Sequence, residues 1–197
     1  MSSAVKPGRG RPRGFDPEQA LEVGQQMFHA EGYDGVGLAA LAETFGIKPP
    51  SFYSAFGSKA GFFERVLQRY SQTVLALEPS LVPGRPVAEA FGDLLRRAAR
   101  VYAAHPRCRG CLALEALRGS GEGAVLARAV VEQRRARMRA FVAVSHPGLE
   151  GVVVDFVGAT MAGLSASARE GMDEARLGVV AEIAAGALVG ILEGGGG

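Results

Sequence analysis

Cys108-Arg109-Gly110-Cys111 sets two thiols three residues apart, a spacing that suits a redox pair or half of a metal site. Arg107 and Arg109 flank the pair, and their charge would lower the pKa of an exposed thiol beside them. The chain holds 2 cysteines in all, and His105 is the one histidine close by in sequence, so a closed zinc site would need a further ligand. Structural cysteines and thiol- or metal-sensing cysteines are both open readings. His29, His105 and His146 fall on separate stretches, and the chain lacks a nucleophile elbow, a phosphate loop and an HExxH motif. The expectation is a non-enzyme with no cofactor.

A second chemistry is electrostatic. The formal net charge is only +2, yet Lys6, Arg9, Arg11 and Arg13 stand in the first fourteen positions with no acid among them. Such an arm suits the phosphate backbone or minor groove of nucleic acid. Gly, Pro and Arg dominate residues 1–14, a composition expected to be disordered in isolation. Farther along, residues 37–59 read GLAALAETFGIKPPSFYSAFGSK. Leu38, Leu41, Ala42 and Phe45 share one face of a short helix, and Phe52 and Phe56 share one face of the next. Gly46 suits the left-handed end between them, followed by Ile47 as an apolar plug. This is the outline of a helix-turn-helix, whose second helix enters the major groove.

The elements that must position these groups are all helical. The first helix starts after Asp16, an N-cap candidate, with Pro17 at its first position, and ends at Gly32-Tyr33. The second spans about Leu38–Phe45, with a weak start because Gly37 has no side-chain oxygen. The third spans about Pro49–Phe56. Ser58 caps a fourth, which runs to Glu78-Pro79 through Phe62, Phe63, Val66, Leu67, Tyr70, Val74 and Leu77. Pro86 opens a fifth, stopped at His105-Pro106. A short helix over Cys111–Leu117 and another over Ala124–Val144 follow. The basic run Arg134, Arg135, Arg137 and Arg139 reads as a solvated face.

Two apolar helices, about Gly151–Glu170 and Asp173–Leu192, close the chain. Their sparse polar residues imply burial on more than one face. The expected interface between two copies is Val153, Val157, Met161, Leu164, Val180, Ile183, Ala184, Ala187, Leu188 and Ile191, forming a four-helix bundle in a homodimer. Charged residues interrupt every apolar stretch before the roughly 20 residues of a membrane span, so no membrane partner is expected and the location expected is cytoplasmic. With 48% hydrophobic residues, 197 residues can bury a sizeable core. The domains expected are a disordered arm at 1–14, a DNA-binding domain at 15–70, a larger body at 71–193 and a frayed tail at 194–197.

The N-terminal pattern resembles the TetR family of bacterial transcriptional regulators. The resemblance covers roughly Gly14–Tyr70, including FHAEGYDG and LAALAETFGIKPPSFYSAFGSKAGFFERVL, with its core at Tyr53, Phe56, Ser58 and Lys59 behind Gly46-Ile47. It implies an all-α, TetR-like homodimer. A three-helix head would bind near-palindromic double-stranded operator DNA, and a C-terminal helical body would bind a ligand and dimerise. It also implies a repressor released by a small-molecule effector. Carried onto this sequence, Lys48, Pro49, Ser51 and Ser54 are the groove-facing positions, Tyr53 contacts the backbone and Lys59 contacts a phosphate. Gly37 stands where the family usually has Ser or Thr, and Ala60-Gly61 replaces the commoner Lys-Glu. The side chains fit these roles: lysine donates to phosphate or guanine edges, and serine hydroxyls exchange hydrogen bonds with several base edges. Arg9, Arg11 and Arg13 suit an adjacent minor groove.

Tyr102, His105, Cys108, Cys111, Met138, Phe141, Phe156, Thr160 and Met161 are the polar-tipped or polarisable residues available to an effector site in the body. Core packing is the simpler reading of each alone. Their apolar surroundings favour a small hydrophobic or aromatic effector. The alternatives are a thiol- or metal-sensing regulator using Cys108 and Cys111, an activator, or a non-specific DNA binder.

Overall fold

The computed structural model describes residues 15–194, which form nine helices and no strand. Helix α1 (Pro17–Gly35) starts where Asp16 accepts a hydrogen bond from the Glu18 amide at 2.9 Å, with proline at the first position. The helical path breaks at Gly32 (φ 75°, ψ 169°), but the chain then adds another turn to Gly35 rather than ending there. Helices α2 (Leu38–Thr44) and α3 (Pro49–Phe56) meet at Gly46, whose φ of 65° reverses the chain at no Cβ penalty. The Gly46 and Ile47 amides close the turn onto the Glu43 and Ala42 carbonyls. Gly37 begins α2 with no side-chain cap. Helix α4 (Lys59–Thr73) has its cap at Ser58, which accepts from the Gly61 amide at 3.0 Å.

Phe28, Phe45, Phe52, Phe56, Phe62 and Phe63 fill the head. The Phe56 and Phe62 rings lie 4.6 Å apart and the Phe28 and Phe63 rings 4.7 Å apart, both edge-to-face or tilted. Such pairing adds to burial and favours one arrangement of rings. Arg65 donates from α4 to the Ala55 carbonyl of α3 and stacks 5.1 Å from the Phe56 ring. Helix α3 is thereby seated on a rigid aromatic platform.

Helix α4 stops at Thr73, one turn short of the Glu78-Pro79 end expected from sequence. Arginines from elsewhere satisfy one carbonyl of its last turn and two just beyond it. Arg134 donates to the Ser71 and Leu75 carbonyls at 3.0 and 2.7 Å, and Arg97 donates to the Ala76 carbonyl at 3.0 Å. Charge-assisted bonds of this kind satisfy carbonyls without another helical turn. Leu75 and Leu77 still bury, now from non-helical backbone.

The body is built around α5 (Val87–Ala103), which packs against α8 (Glu150–Arg169) and α9 (Glu174–Gly194). Gly92 lets α5 approach α9: a β-carbon there would lie 3.2 Å from Ala185 Cβ. Helices α6 (Leu112–Arg118) and α7 (Glu122–Ala143) complete it, and α7 packs on α4. Tyr33 joins head to body by donating to Glu122 at 2.5 Å, and its ring fills the space a side chain at Gly123 would occupy.

Three expectations need correction. Arg134 is not on a solvated face; it is half-buried as the bridge from α7 to the end of α4, while Arg135 pairs with Glu132 and Asp155 and Arg137 with Glu78. Helices α8 and α9 are each long and apolar enough to cross a membrane by length and composition, contrary to the sequence reading, because few charges fall inside their central windows. Of the residues expected between two copies, Val153, Val157, Leu164, Ala184 and Leu188 are buried within the chain itself. Met161 and Ile191 are half-buried, whereas Val180, Ile183 and Ala187 face outwards.

Burial also perturbs one histidine at the head–body junction. His29 on α1 is buried, its Nε2 has no hydrogen-bond partner, and its ring stands edge-on to Tyr70 at 6.0 Å. Desolvation, reinforced by the Arg169 charge, lowers its pKa from 6.5 to about 4. The unfolded chain therefore takes up a proton below pH 6.5 that the folded chain refuses. The stabilisation is full above pH 6.5 and is lost as pH falls towards 4, with roughly 2 kcal/mol gone by pH 5. Urea titrations followed by circular dichroism at pH 7 and pH 5 test this. The native chain is expected to lose about 2 kcal/mol more than His29→Gln across that interval.

Candidate nucleic-acid interface and ligand cavity

Helix α3 divides cleanly into two faces. Phe52 and Phe56 are buried beneath it, while Lys48, Pro49, Ser51, Tyr53 and Ser54 are exposed. Tyr53 is 52% exposed although its ring rests edge-on against Phe52 at 6.4 Å, so the ring is braced and the hydroxyl is available. Lys59, at the first position of α4, lies with Nζ 4.2 Å from the centre of the Tyr33 ring. That cation–π contact aims the ammonium group without neutralising it. The result is a convex polar strip on an unyielding support, with donors suited to phosphates and base edges. Arg9, Arg11 and Arg13 lie outside the described residues.

A cavity of about 400 Å³ lies between α4, α5, α6, α7 and α8. Four of the effector candidates, Tyr102, Cys111, Met138 and Met161, meet on its wall. The others are dispersed. His105 is exposed after α5, with Nδ1 accepting from the Arg107 amide at 3.3 Å. Cys108 is half-buried and turned towards α1, its sulfur 3.9 Å from the Gln26 carbonyl. Phe141 packs edge-on against Phe91 at 6.1 Å. Phe156 and Thr160 line an outer groove between α8 and α9, together with Val180, Ile183 and Ala187.

The two cysteines are free and occupy different surroundings. Burial raises the Cys108 pKa despite the opposing charges of Arg107 and Arg169, since the half-buried thiol lacks the exposure on which a lowered pKa depends. The Cys111 amide donates to Ser165 Oγ at 2.9 Å, and that hydroxyl donates to Glu115 at 3.1 Å. Gly110, with φ 80°, allows the close approach, since a β-carbon there would lie 2.8 Å from Ser165 Oγ. The CRGC turn thus pins α6 to α8 and sets Cys111 on the cavity wall.

A model of "Bacterial regulatory proteins, tetR family" matches residues 20–66. The HTH-type transcriptional repressor BdcR of Escherichia coli (strain K12) is 40% identical over 186 residues, 93% of this chain and 94% of that protein. The chain belongs to the TetR family. A second E. coli (strain K12) relative, the HTH-type transcriptional repressor ComR, is 32% identical over 112 residues, 56% of this chain and 53% of its own length. Among solved structures, the TetR family regulator CifR, a cysteine mutant complexed with 26-bp double-strand operator DNA, superposes with a TM-score of 0.74. It is 33% identical, covering 90% of this chain and 99% of its own.

Two residues of this TetR-family cavity escaped the sequence reading. Tyr70 counts there as one more apolar position on α4, and Arg134 as one of a solvated run. A hydroxyl on an otherwise wholly apolar stripe was the available signal for Tyr70, since a buried hydroxyl needs a partner. Arg134 left none, because its partners are backbone carbonyls about sixty residues away.

Proposed function

We propose that the chain is a homodimeric, sequence-specific repressor of transcription that a small, mostly apolar effector releases from its operator. The observation that carries the reading is the split of α3: Lys48, Ser51, Tyr53 and Ser54 exposed in one strip, with Phe52 and Phe56 locked beneath. In this reading residues 15–70 are the DNA-binding head and 71–193 the effector-binding and dimerisation body. Lys48, Pro49, Ser51 and Ser54 meet base edges and phosphates, Tyr53 and Lys59 hold the backbone, and the basic arm with Arg9, Arg11 and Arg13 enters a flanking minor groove.

The outward faces of α8 and α9 supply the dimer contact. Ile183 is 69% exposed and Val179 60%, beside Val180 and Ala187, a continuous apolar strip beyond what a solvent face requires. Two such faces pack as a four-helix bundle and set two α3 helices against successive major grooves. Release follows from the placement of Arg134. The residue both lines the cavity and holds the carbonyls at the end of α4, the helix whose other end carries Lys59. An occupant that shifts Arg134 biases the angle of the head, and affinity falls because both heads no longer fit one operator.

Fluorescence anisotropy of the purified chain on a duplex spanning its own promoter, against a random duplex of equal length, tests the proposal. Salt-sensitive preference for the promoter is expected. Equal affinity for both duplexes at every salt concentration would sink it.

A further inference from the structure

The cavity wall is apolar over most of its area, but one end is not. The hydroxyls of Tyr70 and Tyr102 are both fully enclosed and neither has a hydrogen-bond partner. Tyr102 is 0% exposed and Tyr70 3%. The thiol of Cys111 stands close to both hydroxyls, and the backbone at Leu112 close to that of Tyr70. Buried hydroxyls left unpaired are rare in folded chains, and two on one cavity wall point to an absent acceptor.

Charge at this end has the matching sign. Arg134 makes no ion pair among the described residues; its hydrogen bonds go to the Ser71 and Leu75 carbonyls. The acids that reach the wall, Glu132 and Asp155, lie 3.7 and 4.0 Å from Arg135, and with Arg128 and Arg134 the lining holds three arginines against these two carboxylates. The polar end thus offers two O–H donors next to an unpaired guanidinium and asks for an oxygen acceptor. A cation or a donor-only group would meet the same charge unfavourably.

We infer that the effector is a small apolar molecule bearing one acceptor oxygen, a carbonyl or a carboxylate, which receives the hydroxyls of Tyr70 and Tyr102 while its body fills the space beside Met138 and Met161. This rests on the effector-release reading above for the word effector, but the binding chemistry stands on the cavity alone. The two phenols select for the oxygen, and the Arg134 charge strengthens the preference when that oxygen is anionic. Because Arg134 also holds the end of α4, the recognised oxygen sits beside the group that positions the head.

Isothermal titration calorimetry at pH 7, without DNA, tests this with three probes of similar size: benzoate, acetophenone and ethylbenzene. At least one oxygen-bearing probe is expected to bind about tenfold more tightly than ethylbenzene, the factor that one or two buried hydrogen bonds supply. Benzoate ahead of acetophenone identifies a carboxylate, and the reverse order a carbonyl. Tyr70→Phe and Tyr102→Phe are each expected to remove most of that preference and to leave ethylbenzene affinity unchanged, which also shows that the cavity remains formed. Ethylbenzene binding as tightly as the oxygenated probes, no binding by any probe at millimolar concentration, or a preference that survives both substitutions would overturn the inference. Operator affinity measured separately on the same samples judges the repressor reading, so the two failures are told apart.

Discussion

Tyr53→Ala is expected to lower operator affinity about 100-fold while leaving the urea midpoint nearly unchanged. The ring is half exposed and rests edge-on against Phe52, so its loss removes little core and alanine suits the helix. Its hydroxyl is the braced donor at the centre of the exposed strip. A hydrogen bond to a charged phosphate contributes about 1.5 kcal/mol or more, and a two-fold dimer loses it twice, about 3 kcal/mol in all. Anisotropy on the promoter duplex measures this. Because no charge is removed, the salt dependence of binding should keep its slope, whereas Lys59→Ala should reduce it. A Tyr53→Ala chain that binds like the native one would remove α3 from the interface.

Gly24→Val is expected to destabilise the head by roughly 3 kcal/mol or more. A β-carbon at Gly24 would lie 2.4 Å from Cζ and 2.5 Å from Cε1 of Phe62. That ring cannot retreat, because Phe28, Phe45, Phe52 and Phe56 surround it at centroid distances of 4.6 to 6.0 Å. The gain in helix propensity on replacing glycine, at most about 1 kcal/mol, does not offset such overlap. Urea unfolding followed by circular dichroism at 222 nm measures it, since the chain has no tryptophan to report by fluorescence. Loss of operator binding should accompany the loss of stability, in contrast to Tyr53→Ala.

The head was legible because its signals are local. Pro49-Pro50 and Gly57 punctuate α3 at both ends, so its span Pro49–Phe56 follows from neighbouring residues alone, and Ser58 caps α4 as its type and position suggest. The end of α4 was not legible, since it is set by Arg97 and Arg134, which arrive from other helices. Arg134 is equally silent as a cavity residue, because nothing in RRARMR distinguishes a bridge from a solvated face. In α8 and α9 the difficulty is periodicity. Helices that are apolar nearly all round give no moment to say which face turns inward, so Val153, Val157 and Leu188 could not be separated from Val180 and Ile183. Tyr102, Cys111, Met138 and Met161, alike in their polar-tipped or polarisable side chains, share one cavity, while Phe156 and Thr160, of the same chemical type, lie on the outer groove.

The parts form a chain of contacts from cavity to DNA face: Tyr70 and Arg134 at the cavity wall, the terminal carbonyls of α4, then Lys59 and the platform under α3. His29 and Tyr33 sit where head meets body, and each is held by packing or hydrogen bonding that a rotation of the head would disturb. A few kcal/mol of differential binding by an occupant of the cavity is enough to shift such a two-position equilibrium.

Hydroxyl-radical and dimethyl sulfate footprinting on the promoter duplex tests the central claim most directly. Two protected major-groove patches about one helical turn apart, roughly 34 Å, related by the two-fold of a near-palindrome and both absent with Tyr53→Ala, are the predicted result. Uniform protection along the duplex, or a single patch indifferent to Tyr53, would contradict it.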